Sequence, residues 1–222
     1  MAYYYDNTGG QQRRFLGNAP EATRNIIIIN IIVYIATLVG EMFFKSDILF
    51  KLFALYPFQS HYFHWWQIIT YMYMHGGFWH ILFNMYTLYI FGCVVENIIG
   101  TRKFITFYTI CGVGAAALQL YVQYLTGDYA PMVGASGSIY GVLIAFAMLF
   151  PESKLTLLFP PVTLSAKWMV IIFAAIELCT GLSGGLLNNI AHFAHLGGML
   201  IGWILITYWK KRGVLFDKEK WI

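Results

Sequence analysis

A serine sits among glycines in the stretch "GASGSIYG", residues 134–141, at the head of the apolar run "VLIAFAMLF". A serine hydroxyl is a poor nucleophile unless a base removes its proton. The candidate base lies in "AHFAHLGGMLIG", where His192 and His195 are three residues apart. His195 is followed at i+3 and i+7 by Gly198 and Gly202, which leave a bare helix face beneath the imidazole. Gly137 and Gly141 leave a second bare face beside Ser136, and Gly134 opens the same stretch. Helices approach closely through such small-residue stripes. Packed together, these two would bring hydroxyl and imidazole within the about 2.6–3.2 Å that general-base activation needs.

A third polar cluster, "HILFNMY", puts His80 and Asn84 four residues apart and so on one helix face. With the Ser136 backbone N–H they form a donor set suited to a developing oxyanion. Polar residues in apolar helices also serve as interhelical hydrogen-bonding glue, and small-xxx-small faces serve packing alone. The HxxH pair lacks the carboxylate of an HExxH zinc site, so no metal is expected. Ser138 stands where the soluble nucleophile elbow G-x-S-x-G needs its second glycine. No buried aspartate lies near the His195 segment, which makes the reading a Ser–His dyad. Cys93, Cys111 and Cys179 match no zinc spacing and read as small packing residues.

The elements that carry these groups are apolar. Of 222 residues, 59% are hydrophobic and 11% charged, against about 25% charged in soluble domains. Runs of roughly 20 apolar residues are long enough to cross a bilayer. Six are found, near 24–44, 79–98, 103–125, 134–150, 167–182 and 190–209, the fifth short and carrying Glu177. This predicts an all-α membrane protein with six transmembrane helices. The expected divisions are a cytoplasmic segment 1–23, a six-span domain 24–209 and a cytoplasmic tail 210–222. Residues 1–23 hold no apolar h-region, which predicts an uncleaved first span rather than a removable leader. With the N-terminus inside, twelve of the fourteen Lys and Arg fall on cytoplasmic segments, leaving Lys45 and Lys51 outside. That bias places both termini in the cytoplasm. The net charge of +4 then reflects topology and calls for no nucleic-acid partner.

The loop after the first span, residues 45–78, is long and aromatic. Trp and Tyr favour the membrane interface, so "HWWQIITYMYMH" is expected to form a short helix there. The remaining connections, "TGDYAPM", "PESKLTLLFPPVTLSAK" and "GLSGGLLNN", are expected to be plain short loops.

The ordered set "HILFN", "GASGSIYG" and "AHLGGMLIG", on the second, fourth and sixth runs, resembles the rhomboid intramembrane serine proteases. "ENIIGTRKF" is similar to that family's E-x-x-x-G-x-x-x-F turn, through Glu96, Gly100 and Phe104. The resemblance covers about residues 24–209. It implies a six-helix bundle that hydrolyses peptide bonds in or near transmembrane segments of membrane proteins within the bilayer, without a cofactor. Carried over, Ser136 is the nucleophile and His195 the base, while His80, Asn84 and the Ser136 backbone form the oxyanion site. Tyr140 matches the aromatic that stacks on the imidazole, His75 matches a histidine beside a water-holding pocket, and the fifth span is the usual gate. Many rhomboids carry a Trp-Arg pair in the first loop. Here "WWQ" ends in Gln67, which has no charge, so the loop needs another anchor.

Two rival readings stand beside this one. One is an inactive member of the fold that binds membrane clients; the other is a small transporter using His80, His192, His195 and Glu177 as a proton relay. The compact core points to a bacterial cytoplasmic membrane.

Overall fold

A computed structural model describes residue 17 and residues 19–157, 161–183 and 191–215. Each of the six apolar runs is helical. The first forms α1, Glu21–Phe44. The second is one rod made of α4, Phe78–Thr87, a π-helical turn, Leu88–Gly92, and α5, Cys93–Ile99. The others are α6, Thr101–Thr126, α7, Ser136–Leu149, α8, Ala166–Ser183, and α9, His192–Arg212. Among the described residues, α1, the Phe78–Ile99 rod, α6 and α8 are long and apolar enough to cross a membrane. α7 has 14 residues, roughly 21 Å of helix, against a hydrocarbon core of about 30 Å.

Large apolar side chains point outward, among them Ile32, Met42, Phe44, Trp79, Leu182 and Trp203, while Asn30, Glu96 and Gln119 are buried. That inverted arrangement suits lipid, which solvates apolar surface and leaves polar groups to find partners inside the bundle.

One of those buried polar groups starts the bundle. Pro20 precedes α1 and offers no side-chain cap, so the first N–H groups of the helix need acceptors from elsewhere. Glu96, fully buried in α5, supplies them: its Oε1 accepts from Ala22 N at 2.9 Å and its Oε2 from Thr23 N at 2.7 Å. The hydroxyls of Thr23 and Thr101 donate to the same carboxylate. The negative charge also meets the positive end of the α1 dipole. Gly100, at φ 84°, turns the chain from α5 into α6 directly afterwards, a conformation that costs little only for glycine.

The long first loop is more structured than one short helix. It holds α2, Ile48–Phe53, then α3, Gln67–Thr70, which runs into a 3₁₀ turn at Tyr71–Tyr73. Leu55 and Met132 exchange backbone hydrogen bonds of 2.9 and 2.8 Å, tying the loop to the segment before α7. Gln67 is its buried anchor. Its Oε1 accepts from the Tyr56 and His64 N–H groups, and its Nε2 donates to the carbonyls of Tyr62 and Lys51. A neutral amide can serve both donors and acceptors at one point, which a guanidinium, a donor only, cannot.

The stretch 151–167 is not a plain loop. It contains an antiparallel hairpin of β1, Lys154–Thr156, and β2, Thr163–Ser165. Thr156 and Thr163 lie opposite each other with their hydroxyls 2.9 Å apart, and β-branched cross-strand pairs of this kind favour strand over coil. Most of the "GLSGGLLNN" connection lies outside the described residues. Of the three cysteines, Cys111 is buried packing, Cys93 is half-buried and Cys179 is exposed, so the packing expectation does not hold for Cys179.

The centre of the bundle is the crossing of α7 and α9. A Cβ on Gly198 would collide with the Gly137 carbonyl, and one on Gly202 would lie 2.9 Å from the Gly141 carbonyl. On the other side of α7, a Cβ on Gly137 would come within 2.6 Å of the Ala115 Cβ of α6. Gly198→Ala should therefore force the two backbones apart, lowering stability by about 1–3 kcal/mol or more, read as the unfolding midpoint in detergent. Glu96→Ala strips α1 of its acceptors and should cost on the order of 1.5–3 kcal/mol by the same measurement.

Candidate active site

Ser136 is the first residue of α7, and His195 lies in the first turn of α9. The glycine crossing holds those two helix ends together. His195 Nε2 lies 2.8 Å from Ser136 Oγ. With Nε2 as acceptor for the serine proton, the ring proton belongs on Nδ1. The Tyr140 ring, one turn along α7, stacks on the imidazole with centroids 4.2 Å apart and planes 8° from parallel.

Gly134 lies just ahead of Ser136 at φ 125°, a region that favours glycine. Space demands glycine there as well. A Cβ would sit 2.7 Å from His80 Nε2 and 3.6 Å from Ser136 Oγ. The bare backbone lets the His80 ring edge approach the serine. His80 Nδ1 accepts from Gly76 N–H at 3.4 Å, which leaves the neutral ring with its proton on Nε2, directed at the serine side. Asn84 Nδ2 donates to the His80 carbonyl at 2.9 Å, so one N–H of its amide stays available. His80, Asn84, Ser136 and His195 line a single cleft of about 870 Å³. Its walls include Phe83 of α4 and Phe173 of α8, with Leu155 and Thr156 of β1 also in the lining.

Of the supporting residues expected from the sequence, Gly137, Gly141, Gly198 and Gly202 meet at the helix crossing. His75 stands apart from the cleft lining. It is buried behind His80, with the ring centroids 5.0 Å apart, edge to face.

Glu177 is where the sequence reading falls short. No aspartate lies in the sixth apolar run. The structure brings a carboxylate from the fifth, α8. Glu177 Oε1 accepts from the Tyr140 hydroxyl at 2.5 Å and lies 2.9 Å from His195 Nδ1. The second is an ion-pair distance, but the ring N–H is not directed straight at the oxygen. Glu177 Oε2 lies 2.6 Å from His192 Nδ1. His192 thus belongs to this cluster through hydrogen bonding and makes no contact with Ser136. The available signal was a lone acidic residue in an apolar run; its partners were 15, 18 and 37 residues away, beyond any helical periodicity.

The Rhomboid domain profile matches residues 62–212. Over 144 residues, 62% of this chain, it is 35% identical to the presenilin-associated rhomboid-like protein, mitochondrial, of Rattus norvegicus. It is 30% identical over 158 residues, 69% of the chain, to Rhomboid protein 1, mitochondrial, of Saccharomyces cerevisiae. It is also 30% identical over 187 residues, 82% of the chain, to Rhomboid-like protein 11, chloroplastic, of Arabidopsis thaliana. The matches cover 38%, 44% and 62% of those relatives' own lengths. With a helical membrane bundle that the family profile matches over more than half its length, the chain belongs to the rhomboid family.

Proposed function

We propose that this protein is an intramembrane serine endopeptidase that uses Ser136 as nucleophile and His195 as general base. The observation that carries the reading is the 2.8 Å contact between His195 Nε2 and Ser136 Oγ, made inside a cleft that also holds two further hydrogen-bond donors. Membership of a family that includes proteases supports it.

In the mechanism, His195 Nε2 takes the hydroxyl proton as Ser136 Oγ attacks the carbonyl carbon of a peptide bond. The negative charge that forms on the carbonyl oxygen is received by His80 Nε2–H, Asn84 Nδ2–H and the Ser136 backbone N–H. His195 returns the proton to the departing amine, leaving an acyl group on Ser136. Water then attacks the ester by the same path, with His195 as base, and frees the carboxylate and the serine. No metal or cofactor enters the sequence. Oriented donors act most strongly where water is scarce, since they stabilise the oxyanion without reorganising.

The substrate is a transmembrane segment of another protein. The cleft is walled by side chains of α4 and α8, and a helix entering between them would reach Ser136 from the side. Its carbonyls are shielded by helical hydrogen bonds, so the segment has to unwind locally before attack. Residues of low helix propensity would aid that step. The protein is multi-pass, and both termini are assigned to one side by the distribution of Lys and Arg. The relatives are mitochondrial and chloroplastic by name and lend no support to a bacterial cytoplasmic membrane.

A fluorophosphonate probe should label the purified protein and leave Ser136→Ala unlabelled, with His195→Ala slowed about 10³-fold or more. Wild type that stays unlabelled while a verified rhomboid labels in parallel would return the site to client binding or transport. His80→Ala and Asn84→Ala should each lower kcat for a model transmembrane substrate by roughly 10²–10³-fold, with KM little changed, in a gel-based cleavage assay.

A further inference from the structure

Glu177 is an ionisable residue in an apolar helix facing lipid on most sides, and the dyad leaves it without a task. Burial of a carboxylate at membrane depth costs free energy unless it is paired. Here it contacts the Tyr140 hydroxyl, His192 Nδ1 and His195 Nδ1, one group from α7 and two from α9. It is 8% exposed.

From this arrangement we infer that Glu177 is a positioning residue for His195, the third member of a Ser136–His195–Glu177 line whose acid comes from α8. Three contacts then define the imidazole: Ser136 Oγ at Nε2, the Glu177 carboxylate beside Nδ1, and the Tyr140 ring over one face. The carboxylate favours the tautomer with the proton on Nδ1, the form in which Nε2 can accept from serine. Its charge also favours the imidazolium that forms once that proton has moved. Tyr140 contributes twice, by stacking on the base and by donating to the acid. Because Nδ1–H is not aimed directly at Oε1, the effect is smaller than for a linear acid–base pair.

The location of the acid adds a second consequence. The buried residues of α8 are Ala166, Met169 and Val170 near its start, and then Glu177 alone. The neighbours Ile176 and Leu178 are exposed. The far half of α8 is therefore held to the bundle through the same carboxylate that orients the base, together with the close packing of Gly181 on His192 and Phe193 of α9. The α8 wall of the cleft cannot swing away without withdrawing Glu177 from His195. A site opened to admit a helix is on this account chemically idle, and it regains its base when α8 docks again.

The inference rests on the Ser136–His195 reading, and its test separates the two. The full-length protein in detergent micelles is labelled with a fluorophosphonate at several concentrations, giving KI and kinact, with Ser136→Ala as the blank. Glu177→Gln keeps the shape and removes the charge. It should lower kinact by about 10- to 100-fold with KI unchanged within about twofold, and Glu177→Asp, which keeps the charge, should recover part of the loss. A helix anchor with no part in chemistry would instead lower the unfolding midpoint and leave kinact alone. Wild-type kinact in a folded Glu177→Gln protein overturns the inference and leaves the serine protease reading intact. Wild type that labels no faster than Ser136→Ala overturns both. Should Glu177→Gln fail to fold, the ¹⁵N spectrum of histidine-labelled wild type decides, with His195 assigned through His195→Gln. A proton on Nδ1 and a free Nε2 are expected; the opposite tautomer overturns the inference.

Discussion

The approach of α7 to α9 governs the rest of the molecule, because Ser136 and His195 ride on those two helices and have no other reason to meet. In lipid the hydrophobic effect does not draw apolar helices together, since the tails are as apolar as leucine; contact has to come from packing and hydrogen bonds. Glycine supplies the packing. Gly198 lies against the Gly137 carbonyl and Gly202 against the Gly141 carbonyl, at separations that leave no space for a side chain. α6 completes the three-helix centre, with Ala115 pressed on Gly137 and Cys111 on Gly141. A shift of a few tenths of an ångström there would be felt directly in the Ser136–His195 distance.

Around that centre, two buried carboxylates organise the remaining polar groups in contrasting ways. Glu96 receives four donors, two backbone and two hydroxyl, and secures α1 to the turn between α5 and α6. It is an element of architecture, remote from the cleft. Glu177 instead gathers two imidazoles and a phenol next to the candidate nucleophile. Both satisfy the same requirement, that a charge in a dry interior be surrounded by donors. They differ in whether one of those donors also has chemistry to perform.

The loop before α4 illustrates how one physical task can be met by different residues. Its anchor has to collect several backbone groups that α2 and the following turns leave unpaired. Gln67 does so with a neutral amide that accepts from two N–H groups and donates to carbonyls. The missing loop arginine is thus compatible with an ordered loop, and the missing charge carries no penalty in a buried setting. The same loop, through Leu55 and Met132, fixes the segment that leads to Gly134, so loop order bears on the donor side of the site.

By itself the sequence determined the elements and most of the constellation. Apolar run length locates the six helices, because each must bury or expose a whole face in a medium without water. The glycine stripes and the pair His80 and Asn84 were legible through helical spacing, a local property. The hairpin at β1 and β2 was not, since pairing between Thr156 and Thr163 depends on a register that the composition of the six residues between them does not encode. Only the tertiary structure decided what Glu177 touches. Its partners Tyr140, His192 and His195 come from two other helices, and helical periodicity relates residues within one helix, not between helices. The rotation of α8 about its own axis, set by packing against α7 and α9, turns the carboxylate toward the base instead of the lipid.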